Sequence, residues 1–153
     1  ISYEKLGEIY KHHFESLKAR QYLEPRAQLG KELYEANPHS ESLKNGLAIS
    51  YERLGGIYQQ QGELKKALQF FEQDLQLTKE LYEANPYSVS LYNGLAISYT
   101  KLGSVYFEMN EPEKTKEYYQ QAEKIWLRLT ETVPEAAEFQ SNLAWVKQQL
   151  GNL

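Results

Sequence analysis

Apolar residues recur at every third or fourth position along much of the chain, which is the spacing of helices that bury one face. Leu47, Tyr51, Leu54 and Tyr58 follow this spacing, and a glycine four residues later interrupts it. A second apolar series runs from residue 64 to residue 82 and ends before Pro86, because proline disfavours helix for the residue that precedes it. The pattern predicts two antiparallel helices of about 20 residues each, joined by short turns.

The same pattern is repeated along the chain with a period of 48 residues. Residues 31–58 and 79–106 are identical at 21 of 28 aligned positions, and shorter matches extend this register to both ends. A helical hairpin cannot bury its apolar faces alone, so we expect the copies to stack into one array. The chain begins in the middle of a unit, and we therefore expect it to be a piece of a longer array or trimmed from one. The predicted organisation is a single array over residues 1–153, with a partial first unit at 1–38, a second at 39–86, a third at 87–134, and the C-terminal helix of a partial fourth at 135–153.

One set of positions carries a resemblance to a known family. The residues that carry it are Tyr51, Leu54, Gly55, Tyr58, Ala67 and Phe71. Their order and spacing resemble the tetratricopeptide repeat, whose usual length is about 34 residues, so this chain would be a long variant. The resemblance implies an all-α fold, a right-handed α-solenoid of antiparallel helix hairpins with about seven helices. It also implies a concave groove lined by the first helix of each unit.

Proline at position 25 conflicts with a regular second helix in the first unit. Pro25 aligns with Gln73, which lies in the middle of the corresponding helix of the second unit. Proline removes one backbone hydrogen bond and crowds the preceding turn. We therefore expect either that this helix is kinked or broken near residues 22–24, or that the first unit is atypical, as terminal units of repeat arrays often are.

The face of the first helices that lies opposite the apolar stripe is the candidate binding surface. Three of the seven mismatches between the two best copies, at positions 52, 53 and 56, lie on this face. A basic row through Lys5, Arg53 and Lys101 would anchor a carboxylate or an acidic side chain, or it is a solvated face balanced by neighbouring glutamates. An apolar row through residues 1, 49, 97 and 145 is either packing between first helices or an apolar floor for a peptide. The predicted partner-binding residues are Lys5, Glu52, Arg53, Gly56, Gln60, Lys101, Ser104, Ile49 and Ile97.

Composition removes several function classes. The formal net charge is −4 with no long basic run, which disfavours nucleic acid as a partner. No apolar stretch approaches the roughly 18–20 residues that span a bilayer, so we expect a soluble protein without a membrane partner. There is no cysteine, and the adjacent His12 and His13 point about 100° apart on a helix, so neither a thiolate nor a histidine metal site is expected. No catalytic motif is present, and we predict a non-enzymatic, cytoplasmic protein that needs no cofactor.

The leading hypothesis is a protein–protein interaction scaffold that binds a peptide or protein segment in the concave groove. One alternative is self-association through exposed array ends, with Tyr3 and Leu6 at one end and Leu143, Val146 and Leu150 at the other. Another alternative is a regulatory sensor arm of a larger multidomain protein.

Overall fold

The structure is a computed structural model that describes residues 2–153, so Ile1, a member of the predicted apolar row, lies outside the described residues. The described residues form six α-helices and no strand. The extensive contacts join helices that follow one another in the chain. This is the arrangement of a helical solenoid, and it confirms the predicted fold class. The helices are α1 (Tyr3–Ala36), α2 (Glu41–Gln60), α3 (Leu64–Ala84), α4 (Val89–Glu108), α5 (Pro112–Thr132) and α6 (Ala137–Gly151).

Serine hydroxyls define the start of the first helix in each of the two best copies. Ser40 and Ser88 precede α2 and α4, and each side-chain oxygen accepts a hydrogen bond from the backbone N–H three residues later. Such a cap satisfies one of the free N–H groups at a helix start and contributes about 1 kcal/mol. Asn37 and Asn85 end the preceding helices, immediately before the two prolines.

The hairpin turns of the second and third units require a left-handed backbone conformation. Gly62 has φ of 75°, and Asn110, at the equivalent position 48 residues later, has φ of 59°. Glycine and asparagine are the residues that adopt this conformation most readily. These two turns let α3 fold back on α2 and α5 fold back on α4.

The first unit differs, because its two expected helices form one helix of 34 residues. The position equivalent to Gly62 is Phe14, and a bulky side chain disfavours a positive φ, so the helix continues instead of turning. The expected count of about seven helices is therefore wrong by one. The helix also continues through Pro25, which is exposed. Proline has no N–H to donate to the carbonyl four residues earlier, and at an exposed position water can donate to that carbonyl instead. The helix is not broken near residues 22–24, and the first unit is atypical, which is the other alternative. A kink at Pro25 stays a prediction.

A hydrogen-bond network holds α1 on α2. The Tyr58 hydroxyl donates to the Glu24 carboxylate, and the Arg20 guanidinium donates to the same carboxylate at 2.8 Å. The hydrogen bond from Tyr58, followed by the contacts with Arg20, lowers the pKa of Glu24 against the opposing effect of burial. Arg20 also donates to the Gln61 side chain at 3.2 Å, so the network extends to the end of α2.

Close approach of paired helices depends on small residues. A methyl group on Gly55 would lie 2.6 Å from the Phe71 ring, and one on Gly103 would lie 2.5 Å from the Tyr119 ring. The aromatic rings therefore occupy space that any side chain at the two glycines would need. Ala67 is fully buried beside Phe71, so this part of the repeat is core and not a binding site.

Candidate binding surface

The helices α2 and α4 lie beside each other, and polar side chains connect them across one face. Lys101 Nζ lies 3.9 Å from Glu52 Oε1. The Gln59 amide donates to Ser104 Oγ at 3.1 Å and to Glu108 Oε1 at 2.6 Å. Each contact joins a residue of α2 to one of α4, so the first helices of adjacent units form a shared surface. We call this surface the α2/α4 face.

The α2/α4 face brings together most of the residues that the sequence singles out. Arg53 is exposed on α2, and within residues 2–153 it makes no ion pair. The pair of Lys101 and Glu52 is more than a third exposed on both sides, so its net contribution to stability is small. Two cationic side chains are therefore available to a partner at low cost. The predicted residues on this face are Ile49, Glu52, Arg53, Gly56, Gln60, Ile97, Lys101 and Ser104.

Lys5 is placed differently from the other predicted residues. It lies near the start of α1, which continues past the end of α2 because the turn at Phe14 does not form. A small cavity lies between α1 and the end of α2, where it is lined by Gln60 and Gln61. On α1 the lining begins at Ile9. Lys5 is four residues, or about 6 Å of helix, further from that cavity. The structure therefore does not bring Lys5 beside Arg53.

A cavity of about 220 Å³ opens on the α2/α4 face. Ile49 and Glu52 line it from α2, Ile97 and Ser98 line it from α4, and α3 supplies its buried side. Ile49 is 41% exposed, so the apolar row that the sequence predicts is accessible at this point. Both isoleucines therefore line a recess between the two first helices.

The buried side of the cavity carries a carboxylate. Asp74 on α3 is only 4% exposed, and its two oxygens accept hydrogen bonds from Ser98 at 2.8 Å and from Thr78 at 3.2 Å. Burial raises the pKa of Asp74 to about 6, and the nearby Glu52 adds to this effect, while the two hydroxyl donors and Lys101 oppose it. At neutral pH the cavity therefore holds a buried negative charge whose hydrogen-bond donors are both neutral.

Sequence reasoning did not identify Asp74, although a signal was present. Asp74 lies three residues after Phe71 and four before Thr78, which places a carboxylate on the buried side of α3. The equivalent residues in the other copies are Arg26 and Ala122. A buried acid at this position is thus a property of one unit and not of the repeat.

The described residues contain no cluster of three or more side chains suited to hold a metal ion. His12 and His13 line the cavity at the end of α2, and His39 is exposed in the turn before α2. Within residues 2–153, none of the helices is both long enough and apolar enough to cross a bilayer.

Two family models, both described as tetratricopeptide repeat, match residues 47–86 and residues 96–125. The chain belongs to the tetratricopeptide repeat family. The first match covers most of α2 and all of α3, and the second covers parts of α4 and α5. Tetratricopeptide repeats generally mediate protein–protein interactions and act as non-catalytic scaffolds. No curated protein sequence matches the chain.

Proposed function

We propose that this chain is a protein-interaction scaffold that binds a peptide or protein segment on the α2/α4 face. The observation that carries the proposal is the combination of exposed cations and an apolar recess on one surface. Arg53 and Lys101 supply the positive charge, and Ile49 and Ile97 line the recess. We propose that the scaffold acts in the cytoplasm, without enzymatic activity and without nucleic acid as a partner.

The comparison of the repeats with one another supports the same surface. The glycines at the close approach of paired helices, Gly55 and Gly103, are the same residue in both copies. Several positions on the α2/α4 face differ between the copies, since Glu52 becomes Thr100 and Gly56 becomes Ser104. Positions free of packing constraints are those that can be adapted to a partner.

Charge reversal on the α2/α4 face tests the proposal. The double variant Arg53→Glu and Lys101→Glu should lower partner binding at least about tenfold, because like charges would then face an acidic partner group. The measurement is quantitative affinity capture from cell extract, followed by titration of each captured protein against the wild type and the variant.

The matched control reverses two lysines on the second helices. Lys65 and Lys116 are exposed on α3 and α5, so the variant Lys65→Glu and Lys116→Glu makes the same change in net charge at positions away from the α2/α4 face. Equal loss of binding in both double variants, or no loss in either, would contradict the assignment of this face.

Self-association is a second candidate function, and one observation favours it. In the second unit the Tyr58 ring stacks on Phe70 with centroids 5.4 Å apart, and in the third Tyr106 stacks on Tyr118 at 5.5 Å. The equivalent pair of the first unit is Tyr10 and Tyr22.

The Tyr10 and Tyr22 rings cannot stack within one chain. They lie on one continuous helix, separated by 12 residues of sequence. That separation is about 18 Å along the axis. Tyr10 is 67% exposed and Tyr22 is 65% exposed. In the second and third units the first helix covers the corresponding aromatic residue of the second helix, whereas in α1 this aromatic face is open to solvent. A second copy of this chain carries the aromatic segment that fits this face.

Of the residues named at the two ends of the array, Tyr3 and Leu6 are exposed and Val146 is fully buried against the core, so association through the array ends stays a prediction. Static light scattering over a concentration series separates the two candidates. Self-association through α1 gives dimers that Tyr22→Glu abolishes, whereas Tyr87→Glu, a change at an exposed turn tyrosine, leaves them intact. A wild-type chain that stays monomeric at high concentration would rule out this second function.

A further inference from the structure

The buried carboxylate of Asp74 has no structural counterpart in the neighbouring unit. The equivalent position of the third unit is Ala122, which is fully buried and packs in the same core. A small apolar residue therefore satisfies the packing requirement at this position. A carboxylate there is taken out of water at a free-energy cost, so the fold alone does not explain it.

The cavity beside Asp74 has the size and the lining of a side-chain pocket. Its volume of about 220 Å³ is several times the roughly 30 Å³ that one water molecule occupies in the liquid. Ile49 and Ile97 line it with apolar atoms, Glu52 adds a second acidic group, and Asp74 closes it. A cavity that combines apolar lining atoms with a buried negative charge is complementary to an alkyl chain that ends in a positive charge.

We propose that the cavity binds the cationic side chain, lysine or arginine, of the segment that docks on the α2/α4 face. The alkyl stem lies between Ile49 and Ile97, and the cationic head pairs with the Asp74 carboxylate. This inference rests on the proposed function and adds the chemistry of one residue of the partner. It assigns to the apolar residues at 49 and 97 the role of holding the stem of a charged side chain.

Electrostatics favour a cation over a neutral group at this position. Ser98 and Thr78 each donate one hydrogen bond to Asp74, but neither carries a charge that could balance the carboxylate. The nearest cation on the same face is Lys101, which lies beside Glu52. A ligand cation that enters the cavity would meet a charge in a partly desolvated site, where attraction is stronger than at the open surface.

The proposal is tested with a blocked pentapeptide that has four alanines around one central lysine. The control peptide is identical except that the lysine amine is acetylated, which removes the charge and keeps the stem. Binding is followed by amide chemical-shift changes at Thr78, Gly94 and Ser98, which line the cavity. The charged peptide should give saturable shifts there, and the acetylated peptide should bind at least about tenfold more weakly.

Two variants at Asp74 separate a loss of charge from a loss of fold. Asp74→Asn keeps the size of the side chain, and Asp74→Ala reproduces the residue of the third unit. Both should reduce binding of the lysine peptide at least about tenfold while circular dichroism shows unchanged helix content. Binding that survives in either folded variant would overturn the proposal, as would equal binding of the two peptides or an absence of shifts around the cavity.

The pH dependence of binding gives a further readout. Asp74 is faced by Glu52 from α2, by Ser98 and Lys101 from α4, and by Thr78 from its own helix. A bound cation favours the ionised carboxylate, so affinity for the lysine peptide should fall as the pH drops below about 6, where Asp74 takes up a proton. Affinity that does not change between pH 5 and pH 7 would contradict a role for this carboxylate.

The outcome is distinguishable from a failure of the proposed function. Capture of a partner that depends on Arg53 and Lys101, combined with no binding of the lysine peptide, would retain the scaffold and remove the cation site. Peptide binding that depends on Asp74, combined with capture that is insensitive to Arg53 and Lys101, would retain the cation site and remove the proposed scaffold function of this face.

Discussion

Replacement of Asp74 by asparagine should stabilise the protein at neutral pH, which is unusual for a substitution at a buried, hydrogen-bonded residue. The side chain keeps its shape, and the amide can still accept from one hydroxyl and donate to the other. What changes is the charge. Asp74 is ionised at pH 7 in a site where burial disfavours ionisation, and asparagine is neutral at every pH.

The magnitude follows from the difference in pKa between the folded and unfolded chain. The pKa of Asp74 is about 6 in the fold and 3.8 without it. Each pKa unit of this difference corresponds to about 1.36 kcal/mol in the free energy of unfolding, so the ionised carboxylate destabilises the folded state by about 3 kcal/mol. Since the folded pKa is raised, this destabilisation is complete above about pH 6 and disappears as the pH falls towards 3.8. Imperfect hydrogen bonding by the amide would offset about 1 kcal/mol, which leaves a net gain of about 2 kcal/mol at pH 7.5.

The assay is urea unfolding of the wild type and Asp74→Asn, followed by circular dichroism at pH 7.5 and at pH 4. The difference between the two proteins removes the contribution of every other titrating group, provided that the slope of free energy with urea is the same for both. The variant should be more stable at pH 7.5, and most of this advantage should be lost at pH 4. A variant that is less stable at pH 7.5, or an advantage equal at both pH values, would refute the reasoning.

Two further predictions concern the helix pairing of the repeats. Gly55→Ala should destabilise the protein by about 1–3 kcal/mol, because its methyl group would lie 2.6 Å from an aromatic ring of α3. Gly56→Ala meets nothing within 4 Å and should stabilise it by about 0.5–1 kcal/mol, so melting temperatures that move in the same direction for both would contradict the close approach. Phe14→Gly should let the start of α1 fold back, since the other two hairpins turn at this position with a positive φ. Spin labels at Glu4 and Gln28 should then approach from the roughly 36 Å of a continuous helix to less than about 20 Å, and an unchanged distance would show that residue 14 does not control the turn.

The repeat itself made α2 to α5 predictable. Two nearly identical segments reveal which positions must stay the same, and Ser40, Gly55 and Ala67 are each explained by local geometry: a cap, a close approach and a buried small residue. These features depend on residues close in sequence or on the neighbouring helix, so they can be read without the rest of the structure.

The continuous α1 and the buried acid were harder to predict. Phe14 differs from Gly62, but whether the chain turns there depends on a balance between the strain at residue 14 and the packing of Tyr10 on Tyr22 that a turn would permit. Asp74 lies on the buried side of α3, but its hydrogen bond to Ser98 exists only because α4 packs against that helix. Both outcomes depend on whether local backbone preferences or contacts with other helices contribute more free energy. A sequence pattern does not give the relative size of these two contributions.

The succession of contacts from each helix to the next has a mechanical consequence. Because the extensive contacts join consecutive helices, the protein has few long loops to close, and its stability is close to a sum over neighbouring pairs. Under a force applied to its two ends, we expect the helices to detach one after another, starting from the termini. The pair of α2 and α3, packed around the fully buried Phe71, would be among the last to separate. The α2/α4 face would therefore be lost when α4 detaches, while the hairpin of α2 and α3 is still folded.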